Sequence, residues 1–514
     1  MKEIKSKSKY KIEVFIKKVS KKKDFLMGKI LHNLPYIILF FLMSIYTGVL
    51  SIISIDYYNR FYFSAFDLGI FDQGIWLLSK GKDPFVTVRG LHLFGDHIQF
   101  TIVFFVPLFW LWENTRILLV AQSLVLSLGA IPLFLIARKK FKNKYIPLVF
   151  VLAYFLYPAL HYLNLENFHP VVLSVPLLFF AFYFLEEKKC FYYFVFIMLL
   201  LLTREELVLT IFAIGLYAFF FQNKKIGLVT MGASLLWLFL IFNVIFPYYI
   251  PFSHPNIRRG GDVLERSLQV LSDPKEILAL YSEENQKYIF ELFSPLAFLP
   301  ILYPQTLFLA LPALAINIIT SWPYAHSIQY HYTYAIIPFV FISSVYAIDS
   351  IYKFMKKRKF KFAKTIFYFV LFIFLLSSIL GNIFIGPDST SIKNYRSIME
   401  RIINFNIFSE YEKIRYEAIS LIPKNATVSA TYLFVPHLSH REIIYMFPNP
   451  FKEAYWGAEL GNFTPPKPTK DVDYILLDNT PNEFEKNEII EKLLMNGTYS
   501  KIFEKDYIYI LKKT

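Results

Sequence analysis

Runs of roughly 20 apolar residues, separated by short lysine-rich blocks, dominate this chain and leave it few folds to choose from. About 20 helical residues cross the hydrocarbon core of a bilayer. No water meets the peptide groups there, so each run must satisfy its own backbone as a helix. A balance of 55% hydrophobic to 18% charged residues fits that solvent. It excludes disorder, a disulfide scaffold, a collagen-like chain and a simple soluble enzyme. The net charge of +15 raises the question of nucleic acid, but the lysines fall between apolar runs rather than along one face, so no nucleic-acid partner is expected. Cys190 is the only cysteine, which forbids an intrachain disulfide.

Charge sets the expected topology. Residues 1–30 hold eleven lysines and lack the short charged region and small-residue cleavage site of a signal peptide, so they read as a basic cytoplasmic arm. The blocks 138–144, 187–189, 224–225 and 353–364 are likewise assigned to the cytoplasm. Parity then asks for about eleven spans: 34–55, 116–137, 145–160, 170–185, 190–203, 205–221, 226–246, 288–303, 304–319, 331–352 and 364–386. The stretch 98–112 is too short and Pro-broken to cross and is placed as an interfacial helix. The expected domains are the arm 1–30, a transmembrane region 31–386 with a first outer loop 56–97, and a soluble extracytoplasmic α/β domain 387–514. In that tail, strand-like runs at 427–430, 443–447, 474–477 and 507–511 alternate with helical patterns at 395–421 and 483–495. The whole is a mainly α, multi-pass protein of the cell membrane.

Sorting polar residues by expected side places Asp67, Asp72, Asp96, His97, His161, Glu166, His169, Arg204, Glu205, Glu206 and His331 together on the outer side. Ionisable groups at a membrane boundary are costly unless paired or wet, so a one-sided collection points to a shared cavity. The bland alternative is that this side simply has longer loops. In the first loop, Phe66, Ile70, Gln73 and Leu77, with Phe71 and Trp76, give a helix with one apolar stripe suited to a membrane surface. Asp67 and Asp72 stand five residues apart and face different directions at about 100° per residue. On spacing alone Asp67 fits an N-terminal cap.

The first loop also carries a pattern. Asp67-x-Gly69-x-Phe71 followed by Gly81-x-x-Pro84-Phe85 resembles the first-loop motif of C-type glycosyltransferases, multi-spanning enzymes that use a polyprenyl-phosphate sugar. Protein O-mannosyltransferases and aminoarabinose transferases are among them. Leu202-Thr203-Arg204-Glu205 resembles their Leu-Thr-Lys segment. More closely, Phe66-Asp67-Leu68-Gly69-Ile70-Phe71-Asp72-Gln73 is similar to a predicted membrane protein family with no assigned function. That resemblance extends to His169-Pro170, Arg204-Glu205-Glu206, His331-Tyr332 and Val428-Ser429-Ala430-Thr431. A basic-aromatic acceptor loop is not evident, so the acceptor stays open.

The resemblance implies a C-type helical bundle and transfer of a sugar from a polyprenyl-phosphate carrier to an extracytoplasmic acceptor, with inversion. Such chemistry needs a base for the acceptor proton, a cation for the departing phosphate and an apolar groove for the lipid. The motif match makes Asp67 the base. Arg204 is the first candidate for the phosphate, since guanidinium grips phosphate oxygens bidentately. Glu205, His331, Tyr332 and Arg89 join it as substrate-binding candidates, with Arg258 and Arg259 weaker. Asp72, Gln73, Asp96, His97, Glu166 and His169 complete the expected pocket. A local salt bridge with Glu205 or Glu206 is the plain alternative for Arg204. A divalent metal, Mg or Mn, is a candidate cofactor that His97, Glu166, His169, Glu205 and His331 could hold, with His97, His169 and Glu205 foremost, although no dense ligand spacing occurs and lone histidines usually pack. His437 and His440 read as surface residues, Asp471 and Asp473 as strand-edge polarity, and Asn425, Asn462 and Asn496 as sequons. No phosphate-cradling glycine loop is present, against an ATP-driven pump. A transporter or lipid flippase would place charges at mid-span, which 116–137, 145–160, 226–246 and 364–386 lack. A scaffold or sensor would leave Asp67 dispensable.

Overall fold

The structure is a computed structural model that describes residues 33–249, 259–405, 407–455, 471–478 and 484–514. The basic arm, Arg258 and Asn462 lie outside the described residues, as do the side chain of Arg259 and its surroundings. Five described helices are long and apolar enough to cross a bilayer: Asn33–Asn59, Arg116–Lys140, Lys224–Tyr249, Ile337–Lys357 and Ala363–Phe384. A sixth crossing is available from Ile146–Phe155 and Pro158–Leu165, bent by 46°. Shorter apolar helices, Pro170–Glu186, Cys190–Leu201, Leu207–Phe221 and Pro304–Ile319, occupy the positions of four other expected spans.

The expected span 288–303 does not form as one helix. Glu283–Phe293 stops before Pro295, and Ser294–Leu296 and Leu299–Leu302 are 3-10 turns joined by left-handed Ala297 and Phe298. Pro295 and Pro300 remove the hydrogen bonds that would carry the helix through. His161, expected in a turn, instead sits inside Pro158–Leu165, where its ring bonds the Phe155 carbonyl (2.6 Å) and Thr390 (2.9 Å).

Arg116–Lys140 runs between two ends of the bundle, with Arg116 bonding Asn59 beside the first loop. At one end Lys139 reaches Glu187 (2.5 Å) and the Lys140 ammonium lies 3.7 Å from the Tyr346 ring. At the other end lie the first loop and the turns 166–169, 202–206 and 331–336. Close helix packing rests on small residues. A Cβ on Gly227 would meet the Phe219 backbone nitrogen at 2.4 Å, which is how tightly Lys224–Leu240 lies on Leu207–Phe221.

The first loop folds as a tight turn, Ala65–Gly69, the helix Ile70–Ser79, and a two-residue hairpin of β1 (Phe85–Val86) and β2 (Leu91–His92). Phe100–Leu111 then exposes Val103, Phe104, Trp110 and Leu111. Beyond Gly386 the tail builds a sheet from β3 (Val428–Ala430), β4 (Ile444–Met446), β5 (Tyr474–Asp478), β6 (Tyr499–Lys505) and β7 (Ile508–Lys513), in the order β4-β3-β5-β7-β6. The β4-β3-β5 part is parallel and the β5-β7-β6 part antiparallel. The helical pattern at 395–421 is two helices, Tyr395–Ile403 and Glu410–Ser420. The second starts at a capping box in which Ser409 and Glu412 each bond the other's backbone nitrogen.

One face of the tail sheet and the first loop share a core. Phe61, Phe63, Leu68 and Ile75 pack into the same cluster as Val428, Ala430, Leu476 and Ile510. The apolar stripe of Ile70–Ser79 is thus buried under the tail and does not lie on a membrane surface. Seven of its ten residues are buried, Asp72 and Gln73 among them, which a helix floating on lipid would not do.

Candidate active site

Asp67 sits where the chain reverses between the first long helix and Ile70–Ser79. Its backbone is forced to φ 57°, ψ −78°, directly after an extended Phe66. That conformation is strained for a residue with a Cβ and costs on the order of 1–3 kcal/mol. Asn167 holds it: its Oδ1 accepts from Leu68 N (3.1 Å) and its Nδ2 donates to Phe66 O (3.2 Å). The side chain makes no helix cap, because the helix proper begins at Ile70. The carboxylate faces outward from the turn with 34% of the side chain exposed.

Asp67 Oδ1 lies 3.7 Å from His169 Nδ1, and His169 Nε2 lies 2.5 Å from Glu166 Oε2. His169 precedes Pro170 and is therefore extended (φ −133°, ψ 114°). Its backbone N donates to Gln122 Oε1 at 2.8 Å. The His331 ring lies 3.9 Å from the His169 ring at 31°, and its Nδ1 is 3.7 Å from the same Glu166 oxygen. Tyr332 backs His331 ring to ring at 4.2 Å and is itself held by Asn317 and Trp322.

A second group adjoins the first. Buried Arg204 places a terminal nitrogen 3.1 Å from His97 Nε2, and His97 Nδ1 is 2.6 Å from Glu205 Oε1. Glu205 Oε2 accepts from Ile98 N (3.0 Å), while Glu206 accepts from the Tyr334 hydroxyl. Arg204 Nε is 3.5 Å from Glu206 Oε1 and makes no hydrogen bond.

Burial pushes the Asp67 carboxyl above the usual carboxylate range, opposed by His169 and Arg204 and reinforced by Glu166 and Asp96. Glu166 goes the other way. Burial would raise it too, but His169 and His331 outweigh burial and hold it below the usual range. His169 is lowered by burial, yet Asp67 and Glu166 lift it above an ordinary imidazole, whereas burial and the charge of His169 keep His331 well below one. Burial works against the Arg204 charge, and Glu206, Tyr334 and Glu205 more than restore it. Two carboxyl groups forced apart in this way suit one for holding a proton and the other for remaining an anion.

The chain matches the family described as Predicted membrane protein (DUF2079) over residues 57–509. It belongs to that family. Among solved structures, this DUF2079 chain is similar to ArnT from Cupriavidus metallidurans bound to undecaprenyl phosphate, with TM-score 0.55 and 11% identity over 91% of this chain and 97% of that one. Apo ArnT from the same organism gives TM-score 0.51 and 12% identity over the same shares. The fold is therefore ArnT-like, in keeping with the C-type resemblance. No curated protein matches by sequence.

Within this DUF2079 chain, Asp67, Glu166, His169 and His331 form one cluster, and His97, Arg204 and Glu205 form its neighbour. Arg89 Nε bonds Asp96 Oδ1 at 3.2 Å, and the Asp96 charge reaches Asp67. Other expected members stand elsewhere. Asp72 is fully buried against the tail, where Oδ2 accepts from Thr115 (3.0 Å) and Ser439 and lies 3.1 Å from His440 Nε2. Gln73 donates to Thr87 (2.9 Å) and to the main chain of Arg441 and Glu442. Asp72 and Gln73 thus bind the tail and are not pocket residues. His437 and His440 are not surface residues either. His437 stacks on Tyr58 (4.2 Å) and Phe61 (4.1 Å), and His440 lies between Trp76 and Phe109. Of the five expected metal candidates, His97 and Glu205 fall in one group and Glu166, His169 and His331 in the other. Among the described residues, Glu166, His169 and His331 are the ones whose donor atoms all lie within 4.8 Å of one another. Sequence reading missed Asn167 and Gln122, whose Nε2 also bonds the carbonyls of Asn164 (2.9 Å) and Asn167 (2.6 Å). An amide inside the apolar run 116–137 was the available signal.

Proposed function

We propose that this protein is an integral membrane glycosyltransferase that moves a sugar from a polyprenyl-phosphate carrier to an acceptor on the extracytoplasmic face. The observation that carries the reading is the Asp67 carboxyl, one-third open at one end of the bundle and 3.7 Å from His169, with the Arg204 charge close enough to act on it. In the reaction an acceptor oxygen attacks the anomeric carbon and passes its proton to Asp67. The bond from that carbon to the phosphate oxygen breaks, and the polyprenyl phosphate departs with the electron pair. A single displacement inverts the centre. Arg204, charged at any working pH, opposes the charge that grows on the phosphate. His169, held between Asp67 and Glu166, fixes the base in position.

Sidedness follows from the lysine blocks, which gather at the opposite end and belong in the cytoplasm. With the N-terminal arm inside and one crossing before the first loop, the tail 387–514, which shares that loop's core, lies outside and roofs it where an acceptor arrives. The ArnT structure with undecaprenyl phosphate supports a polyprenyl-phosphate partner for the shared fold.

The test is incubation of the purified full-length protein with a panel of polyprenyl-phosphate sugars, reading sugar release or transfer. Wild type turns over at least one carrier. Asp67→Asn keeps its thermal stability and loses about 10²–10⁴-fold in rate, the usual worth of a positioned base. An undiminished Asp67→Asn rate refutes the base. Inertness of wild type toward every carrier refutes the transferase.

A further inference from the structure

We infer that Glu166, His169 and His331 form a binding site for one divalent transition-metal ion of the zinc type. The donors are one carboxylate oxygen of Glu166 and one ring nitrogen each of His169 and His331, drawn from two separate turns of the chain and lying within 4.8 Å of one another. Two imidazoles and one carboxylate are the ligand chemistry of zinc and its neighbours. Magnesium takes oxygen ligands and keeps its water, so this donor set does not favour it.

An orphaned atom points the same way. His331 Nδ1 is buried and has no hydrogen-bond partner, the side chain being only 9% exposed. Leaving a buried polar atom unmet costs about 1–3 kcal/mol. Glu166 Oε2 is 3.7 Å away, beyond hydrogen-bond reach but on the side where a shared ion would sit. The surrounding contacts are those of a metal site as well. With Nε2 toward the ion, His169 turns Nδ1 toward Asp67 Oδ1 at 3.7 Å, the carboxylate–histidine–metal order that orients ligating histidines. Gln122 fixes the His169 backbone and Tyr332 backs the His331 ring, so neither ligand is free to swing. When bound, the ion supplies positive charge beside the base and the phosphate path.

The inference deepens the reading of the same site, but its test measures binding, so either can fail without the other. Full-length protein on a Cys190→Ser background is stripped with chelator and titrated with Zn²⁺ by calorimetry. We expect one site per chain, an upward shift in thermal unfolding, and no displacement by equimolar Mg²⁺. His331→Gln weakens binding at least 10-fold, whereas His437→Gln does not. X-ray absorption of the zinc-loaded wild type, which needs no folded variant, should show two imidazoles in the first shell. Absence of saturable binding, binding undiminished in His331→Gln, or a shell without imidazole overturns the site.

Discussion

Asp67 and Asp72 are five residues apart and have separate tasks. Asp67 is bent outward by a strained turn, and Asp72 is buried with hydroxyls from Thr115 and Ser439 aimed at one of its oxygens. Replacing Asp72 by alanine leaves Thr115 and Ser439 only the Pro436 carbonyl to share and removes the contact with His440, at about 1–3 kcal/mol. We therefore expect Asp72→Ala to lower the thermal unfolding temperature and to speed proteolysis of the tail, with zinc affinity unchanged. Equal proteolysis rates in variant and wild type would remove Asp72 from the tail contact. The five-residue spacing already showed that the two acids face different ways. It did not show which one reaches the site, because the turn at Asp67 is set by Asn167, 100 residues on, through two hydrogen bonds. The same distance problem hid His440, whose partner Asp72 lies far back in the chain.

At the level of elements, the long apolar runs were legible because length and hydropathy alone decide a crossing. What failed were places where local chemistry interrupts a run. Pro295 and Pro300 break the expected span 288–303 into 3-10 turns. The pattern 395–421 splits before Ser409, and Ser409-x-x-Glu412 was a readable capping box. The helix Ile70–Ser79 was legible from its apolar stripe, but Phe66, expected in that stripe, is extended before the helix, and periodicity does not tell lipid from a distant sheet. Helix pairing is testable through glycine. On Gly227 a Cβ would strike the Phe219 backbone at 2.4 Å, whereas on Gly232 it would meet nothing within 4 Å. Backbone cannot step aside, so Gly227→Ala should separate the hairpin and cost about 1–3 kcal/mol, the usual penalty of overpacking. Gly232→Ala should be neutral or slightly stabilising, as alanine favours helix. Thermal unfolding in detergent compares the two, and equal midpoints would contradict the close packing.

Over the whole molecule, the Lys139–Glu187 end of Arg116–Lys140 stands apart from the acid–histidine groups, and charge bookkeeping along the sequence expects that end in the cytoplasm. The joint core of tail and first loop was not legible, since its halves are separated by more than 300 residues. His437 reports on that joint. Its ring packs on Tyr58 and Phe61, and burial, with Arg116 and Arg415 nearby, pushes its pKa down to about 3 despite a hydrogen bond that the ring donates to the Tyr58 main chain and that favours the cation. Tyr416 faces it edge-on and adds no charge. The folded state therefore prefers the neutral ring. Its contribution is fully present above the ordinary value of about 6.5 and is lost as pH falls from there toward 3. Each tenfold difference in proton affinity between folded and unfolded chain is worth about 1.4 kcal/mol. His437→Phe keeps the stacking and cannot titrate. Between pH 6.5 and 4, wild type should lose thermal stability more steeply than His437→Phe, and the first loop should become protease-sensitive over the same interval. Parallel slopes would mean that the ring is not buried in the joint, and that the tail does not hold the loop carrying Asp67.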